Sequence, residues 1–164
     1  MQLTHDHYTP ERSHRKIILA CDHVSSPANQ GALFRLADAF LVDQILFCGA
    51  VDISSSRLKR TARSTQQSVT YEALDDHHFL EKIKDLVPTS YIMSLEITND
   101  SIALSSVQLP KDSDVVLIIG KENTGVRPEL LSISNCIAHI PMFGTNSSMN
   151  VAQATGIALY TLRS

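Results

Sequence analysis

The stretch that decides the fold is VVLIIGKENTG, residues 115–125, in which five apolar residues run directly into a loop bounded by two glycines. A continuous apolar run of this length predicts a strand buried on both faces of a sheet. Similar runs predict further strands at residues 16–21, 43–48, 69–71, 89–95 and 136–140. We therefore expect one sheet with residues 115–119 in its interior.

Helical patterns alternate with these strands. The predicted helices cover residues 30–41, with Asn29 as N-cap, a segment beginning at Asp75 or Asp76, and residues 148–163, with Ser148 as a plausible N-cap. Residues 49–66 are predicted to be a long polar and basic loop with room for one helical turn, and residues 1–15 a polar arm. Strands that alternate with helices indicate an α/β fold, with a mostly parallel sheet covered by helices on both faces. Residues 16–164 are expected to form a single domain.

Size and composition limit the protein class. The chain has 164 residues, of which 43% are hydrophobic and 19% charged, as is ordinary for a soluble domain with one core. No run approaches the ~20 apolar residues that span a bilayer, and the N-terminus lacks a signal pattern, so a cytoplasmic protein is expected. Cys21 and Cys48 end apolar runs, Cys136 begins one, and the three form no CxxC pair. They are predicted to be buried free thiols, and no metal site is expected.

The formal net charge is −3, which gives no support for non-specific binding of nucleic acid. Four cations nevertheless fall within seven positions: Arg57, Lys59, Arg60 and Arg63. They predict a local RNA-binding surface. A solvated basic loop is the alternative that the charges themselves leave open.

A ligand is expected at one edge of the sheet. Leu95, Gly120 and Met142 lie at the carboxyl ends of predicted strands, and ligands of parallel sheets sit beyond those ends. The phosphate-binding patterns GxGxxG and GxxxxGK[ST] are both absent. Taken by itself, GKENTG at residues 120–125 is also compatible with a simple turn.

Three segments carry a family resemblance. NQGALFR at residues 29–35 with ADAF at 37–40, IGKENTG at 119–125, and IPM at 140–142 with SSMNV at 147–151 resemble, in this order, the three motifs of the SpoU (TrmH-like) branch of the SPOUT methyltransferases. The resemblance covers roughly residues 16–163. It implies a deep trefoil knot in the C-terminal part, with S-adenosylmethionine (SAM) bound in the loops of the knot. It also implies a homodimer with an RNA site built across both subunits, and the apolar excess of the last helix agrees with a dimer.

The family transfers the methyl group of SAM to a ribose 2′-hydroxyl of RNA and needs no metal. Arg35 matches the motif arginine assigned to activating that hydroxyl. Because arginine is effectively always protonated, we expect it to grip the neighbouring phosphate and stabilise developing negative charge. A role as general base would require the phosphate to draw off its proton.

The resemblance also assigns Asn29, Glu122, Ser148 and Asn150 to the active site. Glu122 is expected either to orient the Arg35 guanidinium or to have a purely structural role.

The resemblance assigns SAM contacts to six residues: Leu95, Gly120, Ile140, Met142, Ser148 and Met149. A Cβ at position 120 is expected to crowd the cofactor. The apolar members are equally typical of simple core positions. The third motif departs from its usual form at Met149 and Ala152, and Leu41 replaces a frequent glycine, which puts the substrate subclass in doubt.

The leading prediction is a SAM-dependent RNA 2′-O-methyltransferase. Small size and the lack of an added RNA-binding domain favour tRNA over rRNA as substrate. The alternatives are an rRNA enzyme, a non-catalytic RNA- or SAM-binding module on the same fold, and an unrelated α/β nucleotide-binding enzyme. The missing phosphate motifs disfavour the last.

Overall fold

The computed structural model of the chain describes residues 15–145 and 148–164. Residues 1–14 of the predicted arm, and Asn146 and Ser147 next to the third motif's core, therefore lie outside the described residues. The strands are β1 Ile17–Cys21, β2 Gln44–Cys48, β3 Tyr71–Leu74, β4 Ser90–Leu95, β5 Ile102–Ala103, β6 Asp114–Ile119 and β7 Cys136–His139. The helices are α1 Pro27–Ala39, α2 Ser56–Ala62, α3 Asp76–Leu86, α4 Pro128–Ser132 and α5 Val151–Arg163. None of these helices combines the length and apolar character needed to cross a membrane.

The seven strands form one sheet in the order β3-β2-β1-β6-β4-β7-β5. Every strand pair is parallel. The apolar run at residues 115–119 lies between β1 and β4, and its five side chains are buried. The predicted α/β class and parallel sheet are thus confirmed.

Helices cover both faces of the sheet. Phe34 of α1 and Leu159 of α5 pack in one core cluster with Leu117 of β6. Phe79 of α3 and Leu130 of α4 belong to a second cluster, which contains alternate residues of the same strands. Because successive strand side chains point to opposite faces, both layers draw on one continuous apolar run.

The prediction of a loop across residues 49–66 was wrong. The side chain of Ser55 caps α2, and Leu58 and Ala62 are buried one turn apart. The helix packs tightly on α1 at Gly31, where an added Cβ would lie 2.0 Å from Thr61 Oγ1 and 2.4 Å from the Leu58 carbonyl oxygen. A distant glycine, rather than a local apolar stripe, makes room for this helix.

Both predicted N-caps were also wrong. Ser26 caps α1 by accepting from the Asn29 amide, and Pro27 occupies the first turn, where its missing N–H costs nothing. Asn29 therefore lies inside the helix. Asn150, not Ser148, caps α5, and its side chain accepts from the backbone amides of residues 152 and 153. Strand β3 lies two residues later than predicted, and β5 and α4 were not predicted.

Candidate functional site

A cavity of about 380 Å³ opens where β4, β6 and β7 end and α5 begins. Its walls are the loop after β6 (residues 120–125), the segment after β7 and the residues that lead into α5. Six of the lining residues are those predicted to contact SAM, namely Leu95, Gly120, Ile140, Met142, Ser148 and Met149. Glu122 lines the cavity as well. The structure thus brings these predicted residues together in one place.

The loop after β6 requires glycine at both ends. A Cβ at Gly120 would lie 2.1 Å from the Gly125 carbonyl carbon and 2.3 Å from the Val126 nitrogen. Glycine at position 120 is therefore already required by a contact within the protein, and the expectation that a Cβ there would crowd the cofactor stays a prediction. Gly125 has a φ of 68°, and its amide donates to the Lys121 carbonyl oxygen at 2.8 Å.

The carboxylate of Glu96 anchors this loop, a role that the sequence did not predict. Its carboxylate accepts from the Val126 amide at 2.9 Å and from the Ile97 amide at 2.8 Å. A Cβ on Gly125 would lie 2.1 Å from the same carboxylate. The available signal was an acidic residue directly after a buried strand, at the edge where ligands bind.

A chain of hydrogen bonds joins the three sequence motifs. Asn150 Nδ2 donates to Asn29 Oδ1 at 2.9 Å, and Asn29 Nδ2 donates to Glu122 Oε1. Asn150 Oδ1 is used by the backbone of α5, with the Ala152 amide at 2.9 Å. Because Asn150 Oδ1 caps the helix, only the Nδ2 group of Asn150 is left for Asn29. This fixes the donor-to-acceptor direction of the hydrogen bonds from Asn150 to Asn29 to Glu122. Since Ser26 caps α1, the side-chain carboxamide of Asn29 is not needed as a cap and is available for these contacts.

Arg35 is placed differently from the other predicted catalytic residues. It is exposed on α1, does not line the cavity, and has no hydrogen-bond or ion-pair partner among residues 15–145 and 148–164. Six helical positions separate it from Asn29, which corresponds to about 120° around the helix and about 9 Å along it. Within one chain, Glu122 therefore meets Asn29 and not Arg35.

Arg35 instead follows Gly31 by one helical turn, on the same face of α1. That face packs against α2. The four predicted RNA-binding cations lie on α2 or at its end, and all are exposed: Arg57, Lys59, Arg60 and Arg63. The structure thus places Arg35 on the side of α1 that carries the basic helix.

On the opposite side of the loop, Arg127 is the centre of an ion network. Its Nε donates to Asp22 Oδ1 at 2.8 Å, its backbone amide donates to Asp22 Oδ2 at 3.0 Å, and its NH1 group donates to Asp76 at 2.7 Å. The same guanidinium donates to the Cys48 sulfur at 3.0 Å. Hydrogen bonds from Arg127 and Cys48 hold the pKa of Asp76 below its ordinary value. Burial raises the pKa of the Cys48 thiol to about 11, although Arg127 acts in the other direction.

Asp22, His23 and Cys48 also bring three potential metal-ligand atoms within 4.8 Å of one another. Arg127 already donates to Asp22 and Cys48 there. A positive charge of the protein thus takes the position that a metal ion would need. We interpret the group as part of the ion network.

The site as a whole suits a small organic ligand of mixed polarity. Leu95, Ile140 and Met142 offer apolar walls, the loop after β6 offers backbone groups, and Glu96 and Glu122 offer carboxylates. Such a mixture of apolar surface and a few fixed polar groups is typical of cofactor pockets.

Comparison with known proteins gives a consistent result. The model of the SpoU rRNA Methylase family matches residues 16–160. The 23S rRNA (guanosine(2553)-2'-O)-methyltransferase of Bacillus subtilis is 29% identical over 157 residues, covering 91% of this chain and 58% of the relative. The tRNA (guanosine(18)-2'-O)-methyltransferase of Aquifex aeolicus is 27% identical over 151 residues, covering 92% of this chain and 70% of the relative.

Among solved structures, the AdoMet-bound rRNA methyltransferase of Sinorhizobium meliloti superposes with a TM-score of 0.82 at 26% identity, covering 90% of this chain and 56% of that one. The chain therefore spans little more than half the length of some of its relatives. The family model, by contrast, accounts for nearly all of the described sequence, including all three motifs. The second and third motifs line the cavity, and the first is joined to it through the hydrogen bond from Asn29 to Glu122. The chain belongs to the SpoU rRNA methylase family.

Proposed function

We propose that the protein transfers the methyl group of SAM to a ribose 2′-hydroxyl of RNA. The observation that carries the proposal is the hydrogen-bond chain from Asn150 to Asn29 to Glu122, which joins three distant motifs and ends at a residue that lines the cavity. The names of the two relatives, one acting on rRNA and one on tRNA, support the same reaction class.

The cavity fits SAM by its chemistry. Leu95, Ile140 and Met142 can cover the adenine, while backbone groups of residues 119–125 can read its polar edge. The carboxylates of Glu96 and Glu122 complement a ligand that carries positive charge on sulfur and nitrogen. When bound, SAM supplies an electrophilic methyl group. The protein's own task is to align the acceptor oxygen with it and to stabilise the charge that develops on that oxygen.

Arg35 is the residue proposed to act on the ribose. Its guanidinium is exposed and faces the side of α1 that carries α2, so it is free to grip a phosphate next to the target ribose. Because it lies away from the cavity of its own chain, we propose that it serves the cavity of a second copy.

A homodimer would bring the two together. On α5, Tyr160 is 66% exposed and Ile157 is 42% exposed, and both border a shallow depression with Met149 and Gly156. Apolar surface of this kind on a terminal helix supports self-association. The expected result is a dimer in sedimentation at micromolar concentration, which dissociates when Ile157 and Tyr160 are both changed to Asp. A wild-type monomer would contradict the dimer.

The proposal includes a trefoil knot. The loop after β6 and the segment that leads into α5 wall the same cavity, as a threaded chain requires. Pulling the chain from its two ends tests the threading. A tightened knot should leave an extended length shorter than the ~3.3–3.6 Å per residue of an open chain, and full extension would contradict it.

Complementation tests the reaction and the shared site together. Arg35→Ala is expected to abolish transfer from SAM to bulk tRNA or rRNA and to leave SAM affinity within a few-fold. Glu122→Ala should lower transfer by about 100-fold, which leaves it nearly inactive. If Arg35 and Glu122 of one site come from different subunits, mixing the two inactive variants restores activity in the heterodimers, because one of the two sites is then intact.

The outcomes separate the alternatives. Heterodimers without activity would place both residues in one subunit. Wild-type protein that binds SAM but methylates neither RNA would favour a non-catalytic module. We propose tRNA over rRNA as substrate, and the wild-type comparison of the two RNAs decides between them.

A further inference from the structure

Phe143 differs from most of the other phenylalanines of the chain. Its side chain is 99% exposed, whereas Phe34, Phe47 and Phe79 are fully buried in the two cores. A phenylalanine left in water forgoes the favourable free energy of burying its ring. An aromatic ring in this position suggests a binding partner that the chain itself does not supply.

The ring stands next to the proposed methyl-transfer site. It lies in the segment after β7, in which Ile140 and Met142 line the cavity while Pro141 and Phe143 are exposed. This alternation is that of an extended chain, whose successive side chains point in opposite directions. Since the Cα atoms of Met142 and Phe143 are about 3.8 Å apart, the ring borders the cavity but faces outward.

The surroundings of Phe143 favour a flat partner over an apolar protein surface. Its exposed sequence neighbours are Pro141, Gly144 and Thr145, and because only Pro141 is apolar they form no extended apolar patch around the ring. The apolar surface suited to self-association lies on α5, at Ile157 and Tyr160. A single exposed aromatic ring is the arrangement on which proteins stack the unpaired bases of single-stranded RNA.

We propose that Phe143 is a stacking platform for an unpaired nucleobase of the substrate RNA, at or next to the methylated nucleotide. This inference rests on the proposed function. Stacking is tolerant of base identity, so the ring holds the nucleotide in place and does not read its sequence. Phe143 thereby contributes to RNA binding and to alignment of the ribose, while SAM is held on the other side of the segment.

Tryptophan provides a direct test, because the chain contains none. Phe143→Trp introduces a unique fluorophore that can still stack. Titration with the RNA that the wild type methylates should quench its fluorescence, and RNA that has been fully base-paired with a complementary strand should not. Absence of quenching by a substrate RNA that binds would overturn the proposal.

Kinetics separate stacking from general apolar contact. Phe143→Ala and Phe143→Leu should each lower kcat/KM for RNA by about 5- to 150-fold, the range expected for loss of one stacked base, while Phe143→Tyr stays within about threefold. SAM affinity and the sedimentation coefficient should not change. Ile102→Ala, on the exposed edge strand β5, is the matched control and should behave as wild type.

Full activity of Phe143→Leu would reduce the role to apolar contact and overturn stacking. Dissociation of a dimer by Phe143→Ala would assign the ring to a protein interface and overturn it as well. Wild-type methyl transfer with an unaffected Phe143→Ala would remove this inference and leave the proposed function intact. Wild-type protein that fails to methylate RNA would instead remove the function itself.

Discussion

Polar side chains flank the loop between β6 and α4 on both sides, but their hydrogen bonds and their exposure to solvent differ. On one side, Asp22 is buried and Arg127 mostly so, and the chain itself meets their charges through short hydrogen bonds. On the other side, Glu122, Asn29 and Asn150 are linked to one another but remain open to solvent beside a cavity. Saturated polar groups stabilise a fold, while polar groups with spare capacity can serve a ligand. The difference predicts opposite effects of mutation on stability and on activity.

The largest expected effect is on stability, at Arg127. Arg127→Met removes the guanidinium from the buried carboxylate of Asp22, which keeps only the Arg127 backbone amide and the His23 ring as contacts. Removing one member of a buried pair costs about 3–5 kcal/mol. Since Arg127 is 21% exposed, we expect a value near the lower end, about 3 kcal/mol, in urea unfolding. Lys84→Met, which breaks an exposed pair with Glu81, should leave the free energy of unfolding almost unchanged. Equal effects of the two variants would remove the distinction between the two sides.

Glu122→Ala should show the reverse pattern. The carboxylate is exposed, so the free energy of unfolding should change by no more than about 0.5 kcal/mol. Methyl transfer should fall by about 100-fold, the usual effect of losing one preorganised polar group at a reacting centre. Glu122→Gln, which can still accept from Asn29, tests whether orientation or charge matters. A stable fold with full activity would assign Glu122 a surface role only.

Gly120, which begins the loop, is expected to matter both for stability and for SAM binding. In Gly120→Ala the new Cβ must displace backbone at residues 125 and 126, which we expect to cost about 1–3 kcal/mol and to weaken SAM binding at least tenfold. Gly144 has no atom within 4 Å of an added Cβ, so Gly144→Ala is the matched control. Calorimetric titration with SAM and urea unfolding report the two effects separately. Normal SAM affinity in Gly120→Ala would show that the loop can rearrange without harm to the cavity.

The same contrast explains what could be predicted from the sequence. Buried strands such as β6 need apolar residues at every position, so composition along the chain indicates them directly. The six predicted SAM contacts could be named because the chain resembles a family, and five of them lie in its motifs while Leu95 lies outside them. Periodicity by itself would have left the apolar members as core residues.

The features that were missed depend on partners far apart in the sequence. Asp22 and Arg127 are separated by 105 positions, and α2 depends on room left by Gly31 more than on its own two buried side chains. Asn29 was assigned as a cap because asparagine is a good cap, yet Ser26 also fits that role and precedes a proline. Local propensity could not choose between Ser26 and Asn29 as the cap. The hydrogen bond from Asn29 to Glu122 shows that the Asn29 side chain is used elsewhere.

The smallest expected effect belongs to the basic helix. If Arg57, Lys59, Arg60 and Arg63 contact RNA phosphates, changing all four to Ala should weaken binding at every salt concentration and lower the slope of log K against log salt. For single-stranded contacts the slope changes by about 0.7 per phosphate, so the loss can reach about 3. The free energy of unfolding should hardly change, because all four side chains are exposed. Changing Lys82 and Lys84 on α3, in the layer that covers the other face of the sheet, removes positive charge away from α2 and should leave the slope as it was. An unchanged slope in the α2 variant would make this helix solvated surface, and Arg35 would then have to hold the RNA without help from its neighbouring helix.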